Sequence, residues 1–396
     1  MIKENETQKI EEILERLENV YPSKEELKRV LKSEKKLTIY NGIDPTAPFL
    51  HLGHSVNLFI LKRFQELGHK IILLIGDFTA QVGDPTGKDK KRKILTKEEV
   101  LKNCQKYQEQ AGKIIDFQGK NPAILRFNSE WWEKINSKDF LKILSFFTVQ
   151  RMLERDMFRK RQEEKKPIWL NEFIYPVLQG YDSVAMDVDA EAGGNDQTFN
   201  MLVGREMMKA YKNKEKIVIT WPLISAEKGG KKMSKSEGEV IALNDSSNEM
   251  YGKTMSLPDE VIVSIFKLCT LLGSKEIGEI RKVSLRDQKA RLAKEIVKIY
   301  HGEKKAQEAE KEFNRIFRDK KNPSDVPEML IKEKKINILD LLVMASLVPS
   351  KSEAKRLVLQ GGVKINNETQ KDWQKTIEVK KGDVLRAGKR KFVKIK

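Results

Sequence analysis

The chain has 396 residues, a formal net charge of +18 and 34% charged side chains. That length accommodates two or three domains, the charge points to a polyanionic partner, and no apolar run approaches the roughly 20 residues of a membrane-spanning helix. Cys104 and Cys269 stand far apart and outside any Cys-x-x-Cys pair, so neither a zinc site nor a disulfide framework is suggested, and no metal held by protein side chains is expected. Cys104 shares an apolar face with Val100, Tyr107 and Ala111 and is expected in the core. The amphipathic, acid-containing segment 1–18 is unlike a signal or transit peptide, so a cytoplasmic enzyme is expected. The high charge content fits surface ion-pair networks and a thermophilic source.

Residues 1–35 read as helices ahead of a sheet. Leu37–Ile39 and Ile71–Ile75 are apolar runs of strand length, with a helical pattern of Val56, Phe59, Ile60, Phe64 and Leu67 between them, stopped by Gly68. Strand, helix and strand in that order form the unit of a parallel sheet. The loop after the second run is Gly-rich (Gly76, Gly83, Gly87) and then basic, from Lys88 to Lys93. It suits the charge of a leaving pyrophosphate, and a solvated loop has the same composition. Thr96 and Glu99 make a capping box for a helix running to about Ile115, and Ala123–Phe127 is a further strand. Residues 131–182 look helical. Tyr175, Gln179 and Asp182 fall at i, i+4 and i+7 on one face, which describes either the wet side of a helix or the wall of a polar pocket. Asp187 to Gln197 reads as an acidic strand end and a tight Gly193-Gly194 turn suited to ribose hydroxyls. Ile217–Thr220 is the last clear strand of this region.

After about residue 246 the strand signal fades into helical patterns over 256–273 and 286–317, with a linker at 322–327. Residues 331–396 carry 17 Lys and Arg against 7 Asp and Glu. Ser350 and Glu353 box a helix bearing Lys351, Lys355 and Arg356, and Gly361-Gly362 ends it. Short strands follow at Val363–Asn366 and over 384–395. A small α+β module with a basic helix face reads as an RNA binder.

Two stretches organise the rest. His51-Leu52-Gly53-His54 opens the first sheet helix, at the carboxyl end of a strand, where open α/β sheets bind ligands. A helix N-terminus there offers N–H groups to a phosphate, Gly53 lets a base lie against the backbone, and the histidines add donors. The same pattern is met by histidines that cap the helix or pack in the core. About 180 residues later stands Lys231-Lys232-Met233-Ser234-Lys235-Ser236, after a Gly-Gly pair. Together, in this order, the two stretches resemble the paired signatures of class I aminoacyl-tRNA synthetases.

With Tyr40–His54, Gly83–Gly87, Tyr175–Asp182, Gly193–Gln197 and Asn337–Ile365 added, the whole chain resembles the bacterial tyrosyl-tRNA synthetases. The resemblance implies an α/β protein: a Rossmann-like parallel-sheet catalytic domain over 1–245, an α-helical anticodon-side domain over 246–325, and a small α+β S4-like RNA-binding domain over 332–396. It implies tyrosine activation by ATP with Mg²⁺, transfer to tRNA(Tyr), and a homodimer. Laid on matching positions, Tyr40 and Asp182 would bond the phenol hydroxyl, Asp84, Tyr175 and Gln179 the ammonium, and Gln197 the carboxylate. Gly42, Asp44, Gly53, His54 and Asp196 would meet ATP. Thr46 and His51 would bind its γ-phosphate end, and Lys88, Arg92, Lys232 and Lys235 would close on pyrophosphate. Lys351, Lys355 and Arg356 would face RNA. The sequence departs from the usual pattern at Trp221 to Gly230, which leaves open whether Lys231 or Lys232 holds the family's lysine position. A tryptophanyl-tRNA synthetase shares both signatures without the Tyr40/Asp182 pair. A noncatalytic RNA-binding relative would not need the set His51, Asp84, Asp182, Lys232 and Lys235. A small-molecule nucleotidyltransferase would leave the two basic modules unexplained.

Overall fold

The computed structural model describes residues 4–84, 95–224, 240–319 and 326–396, apart from Lys332, Lys334, Lys389 and Arg390. The chain divides into two compact units, Met1–Glu303 and Lys304–Lys396.

The first unit is built on a six-stranded sheet in the order β1 (Val20–Tyr21), β6 (Ile217–Trp221), β5 (Ala190–Gly194), β2 (Thr38–Ile43), β3 (Lys70–Ile75), β4 (Ile124–Phe127). β1 is antiparallel and the other neighbours run parallel. Helices cover both faces of such a sheet, so a central strand tends to be an apolar run. β3 obeys this, with every residue from Ile71 to Ile75 buried. The first strands and the helix between them, Leu52–Glu66, follow the sequence pattern.

Two departures have local causes. The helix expected to reach Ile115 breaks into Lys97–Cys104 and Tyr107–Ala111. The second piece turns inward so that the Tyr107 hydroxyl donates to the Ala47 carbonyl (2.6 Å) and Gln110 Oε1 accepts from Leu50 N (2.8 Å). The break leaves Cys104 half-buried, short of the core position expected for it, while Val100, Tyr107 and Ala111 are buried. Gly193 and Gly194 end β5 as extended residues, where a tight turn was expected. A Cβ on Gly194 would stand 2.6 Å from Asp196 Oδ1 and 2.9 Å from Leu223 Cδ2.

Helices Leu170–Met186 and Thr198–Lys212 pack closely at Gly180 and Gly204: a Cβ on Gly180 would sit 3.1 Å from Gly204 N. After β6 and residues 225–239, the chain returns to the first signature. Ala242 bridges His51, Leu52 N donates to Ile241 O (2.9 Å), and Leu243 N donates to Leu50 O (2.8 Å). Helices Ser247–Met255, Ile262–Cys269, Ser274–Ile280 and Leu285–His301 complete the unit. Arg63, on the signature helix, donates to the Thr270 carbonyl (2.9 Å).

In the second unit, helix Glu303–Phe317 precedes a five-stranded sheet ordered Glu368–Gln370, Val363–Ile365, Val384–Ala387, Lys391–Ile395, Glu328–Met329. Helices Ile338–Met344 and Lys351–Leu359 pack on it around Leu341, Leu342, Val358, Val363 and Leu385. Ser350 Oγ caps the second helix by accepting from Glu353 N (3.3 Å), and Gly361 ends it at φ +69°. Lys351, Lys355 and Arg356 are exposed. Lys351 pairs with Asp340 (2.5 Å), Lys355 Nζ lies 3.8 Å from the centre of the Trp373 ring, and Arg356 pairs with Glu353. Among the described residues no helix is long and apolar enough to cross a membrane.

Candidate active site

Strand order reverses between β2 and β5, the position at which open α/β sheets hold ligands. The ladder between these two strands has only the pairs Ile39–Ala190 and Tyr40–Glu191. Beyond them the side chain of Asn41 spans the gap, donating to the Ala192 carbonyl (2.7 Å) and accepting from Asn57 Nδ2 (3.1 Å). Above this floor lies a cavity of about 850 Å³, within the usual size of small-molecule sites. It is lined by Tyr40, Gly42, Asp44, Thr46, His51, Gly53, His54, Asp84, Tyr175, Gln179, Asp182, Asp196 and Gln197. Residues from four separate stretches therefore share one cavity.

The most enclosed wall carries Tyr40 (1% exposed) and Asp182 (3%). Asp182 Oδ1 accepts from the indole N–H of both Trp131 and Trp132, at 2.9 Å each, and Oδ2 accepts from Asn128 (3.3 Å). Burial pushes its carboxyl up to about 8, against three donors that favour the charged form. The Tyr40 hydroxyl lies 3.0 Å from Ser183 Oγ and 3.5 Å from the Gln179 carbonyl. Burial, then the nearby Glu191 and Asp182 carboxylates, raise its pKa, so it keeps its proton. Behind this wall the Lys216 ammonium, wholly buried, donates to Ser183 Oγ (2.8 Å) and to the Glu191 carboxylate. Glu191 in turn accepts from Gln179 Nε2 (2.9 Å), and Gln179 Oε1 accepts from Asn200 Nδ2 (2.8 Å).

The middle of the cavity is set by carboxylates. Asp84 pairs with Arg155 (3.1 Å) and accepts from Gln197 Nε2 (2.9 Å). Tyr175 donates to Asp44 Oδ2 and Thr79 to Asp44 Oδ1, both at 2.8 Å. Any side chain on Gly76 would collide with Asp44 and Thr79, so that glycine clears the space for the Asp44 carboxylate.

At the more exposed end, His51 is the N-cap of helix Leu52–Glu66, its Nδ1 accepting from Gly53 N (3.1 Å), while His54 Nδ1 accepts from His51 N (3.1 Å). The ring centroids lie 3.8 Å apart, with the planes tilted by 30°. The capping reading and the phosphate reading of this motif are compatible. With Nδ1 accepting, the neutral ring carries its proton on Nε2, which makes each histidine a donor there. A Cβ on Gly53 would lie 3.0 Å from His51 Cε1 and press on the capping ring. Ile224 and Val240, which flank residues 225–239, both line the cavity. Lys88, Arg92, Lys232 and Lys235 lie outside the described residues.

Sequence reasoning missed Ser183, Lys216, Trp131, Trp132, Asn128 and Asn41, and it gave Glu191 no individual role. Only Lys216 left a trace, as a charge abutting the apolar run Ile217–Thr220.

Residues 32–318 match the family of tRNA synthetases class I (W and Y), and residues 319–395 match the Tyrosine--tRNA ligase SYY-like C-terminal domain. The chain is 48% identical to the Tyrosine--tRNA ligase of Thermotoga maritima, over 94% of each chain. It is 45% identical to that of Moorella thermoacetica, over 93% of this chain and 90% of the relative. Among solved structures, a C-terminally truncated Aspergillus nidulans mitochondrial tyrosyl-tRNA synthetase superposes with TM-score 0.68 at 25% identity, covering 78% of this chain and 94% of that one.

Proposed function

The chain belongs to the class I tRNA synthetases of the tryptophan and tyrosine group, and from that premise we infer that it activates L-tyrosine with ATP and transfers it to tRNA(Tyr). The observation that carries this reading is a single cavity with the buried pair Tyr40 and Asp182 at one end and the capped histidines at the other.

In this reading the substrate's ring enters the enclosed end and its hydroxyl meets Tyr40 and Asp182. Asp84, Tyr175 and Gln179 hold its ammonium, and Gln197 lies beside its carboxylate. ATP lies over Gly42, Asp44, Gly53 and His54, with Asp196 on the ribose and Thr46 and His51 toward the γ-phosphate. A tyrosine carboxylate oxygen attacks the α-phosphorus, the bond to the bridging oxygen breaks, and pyrophosphate leaves. The terminal ribose hydroxyl of tRNA then attacks the carbonyl of the adenylate, and AMP leaves. No protein nucleophile takes part. The chain supplies positioning and preorganised donors: the two Nε2–H groups, and Lys88, Arg92, Lys232 and Lys235. Magnesium would come as a companion of the triphosphate, because Mg²⁺ commonly binds through substrate phosphates with one or two carboxylates. A site built to bond a hydroxyl rejects phenylalanine by leaving its polar groups unpaired, an effect for which tyrosyl-tRNA synthetases are themselves the reference case.

We assign catalysis to 1–245, the anticodon side to the helices of 246–325, and RNA binding to an S4-like module over 332–396, with Lys351, Lys355 and Arg356 facing tRNA. A cytoplasmic homodimer completes the proposal. The exposed Leu141 (65%), Val149 (64%), Phe146 (42%) and Tyr211 (40%) support it, the last two with rings 6.0 Å apart. Exchange of pyrophosphate into ATP, measured with each of the twenty amino acids, tests the assignment: stimulation by tyrosine alone is expected, and stimulation by tryptophan would overturn it.

A further inference from the structure

We propose that Lys216 is a positioning residue for substrate recognition: from behind the cavity wall it orients Ser183, and through it Tyr40, so that the Tyr40 hydroxyl presents a proton to the substrate's phenol oxygen. This rests on the reading of the cavity as a tyrosine site.

An ammonium has donors and no acceptor. Ser183 Oγ, 2.8 Å from Lys216 Nζ, must therefore accept there. The single Ser183 proton then has two acceptors in range, Tyr40 Oη at 3.0 Å and Glu191 Oε2 at 3.4 Å. The closer is Tyr40, and Glu191 already receives the Lys216 ammonium and Gln179 Nε2. With its oxygen accepting from Ser183, Tyr40 must send its own proton elsewhere. Within the chain the partner is the Gln179 carbonyl at 3.5 Å, too long for a strong bond. A phenol oxygen arriving in the cavity offers a better acceptor. The chain of donors thus runs from Lys216 to Ser183 to Tyr40 and ends at the ligand. Glu191 compensates the buried ammonium and also holds the Gln179 amide, so one ion pair sets two cavity side chains.

The site is built for this group. Lys216 is fully buried, and its side chain threads to Ser183 where helices Leu170–Met186 and Thr198–Lys212 cross. Any side chain on Gly204 would collide with the Lys216 ammonium, and would stand 3.1 Å from Ser183 Oγ. The missing Cβ leaves room for the ammonium and no more. A lysine placed only for solubility would not be enclosed, and a fully buried charge needs a specific partner set to persist.

The test uses the full-length protein in pyrophosphate exchange with tyrosine and phenylalanine. Lys216→Met alone strands Glu191, so the charge-neutral double variant Lys216→Met/Glu191→Gln is measured with Ser183→Ala, which cuts the relay and leaves the ion pair whole. Each is expected to raise the tyrosine KM and to lower the tyrosine-to-phenylalanine preference about tenfold, the size of one buried hydrogen bond, with the ATP KM within about twofold of the parent. Combining the double variant with Ser183→Ala is expected to add little, because one relay is cut twice. A folded Lys216 variant with unchanged preference would overturn the proposal, as would equal losses for tyrosine and ATP, or additive effects. If the parent protein itself shows no tyrosine-stimulated exchange, the reading of the site fails, and that result is distinct from any of these.

Discussion

Trp132 donates its indole N–H to Asp182 across 2.9 Å, with the two side chains only 4% and 3% exposed. Burial of the Asp182 carboxyl, working against this bond, sets a titration. Folding raises the Asp182 carboxyl from about 4 to about 8, so the folded protein favours the protonated form. The stability this group contributes is full below about pH 4 and lost as pH climbs toward 8, at up to about 1.4 kcal/mol per pH unit. Melting temperatures taken from pH 5 to pH 9 are expected to fall for the parent and to stay flatter for Asp182→Asn. Trp132→Phe removes a donor that favours the charged form and is expected to move the fall to higher pH. Tyrosine, whose hydroxyl donates best to a carboxylate, is expected to stabilise the protein more at pH 8.5 than at pH 6.5. A pH-independent tyrosine effect would separate Asp182 from recognition.

The histidine cap yields a second prediction. Gly53→Ala pushes a methyl group against the His51 ring and is expected to cost about 1 kcal/mol of stability through the lost cap. His51→Ala is expected to slow adenylate formation at least about tenfold while the tyrosine KM holds within about twofold. Single-turnover kinetics separate the two quantities, and a raised tyrosine KM would place His51 elsewhere in the reaction.

The exposed apolar residues of the first unit predict self-association. Leu141→Glu and Val149→Glu each put a charge where an interface core excludes it. Sedimentation velocity is expected to show a dimer for the parent and a shift to monomer for the variants. A parent that sediments as a monomer refutes the homodimer.

Ending the chain at residue 319 removes the basic module together with Glu328–Met329, which pairs with strand Lys391–Ile395. tRNA charging is expected to fall by about tenfold or more, with a weaker salt dependence, while tyrosine-dependent pyrophosphate exchange persists. Loss of both activities would give the module a folding role.

Much of the fold was legible because parallel strands advertise themselves as apolar runs, and Ile71–Ile75 could hardly be anything else. The face shared by Tyr175, Gln179 and Asp182 was legible as a stripe, though not which of its two readings held; all three line the cavity. The network behind the wall was illegible for a physical reason. Ser183, Glu191 and Lys216 come from a helix, a strand and a strand's approach, and only the register of Glu191 opposite Tyr40 and Val218 aligns them. The break before Tyr107 was hidden because its cause is the need of Ala47 and Leu50 for partners, 60 residues away.

The amide of Asn41 sits where two neighbouring strands stop sharing backbone bonds. The fork is wedged from inside by a side chain of one strand that is bonded to the other strand and to helix Leu52–Glu66, so the chain's own bonds hold the hollow open. An incoming molecule need not prise the strands apart, and the free energy of its contacts remains available for discrimination.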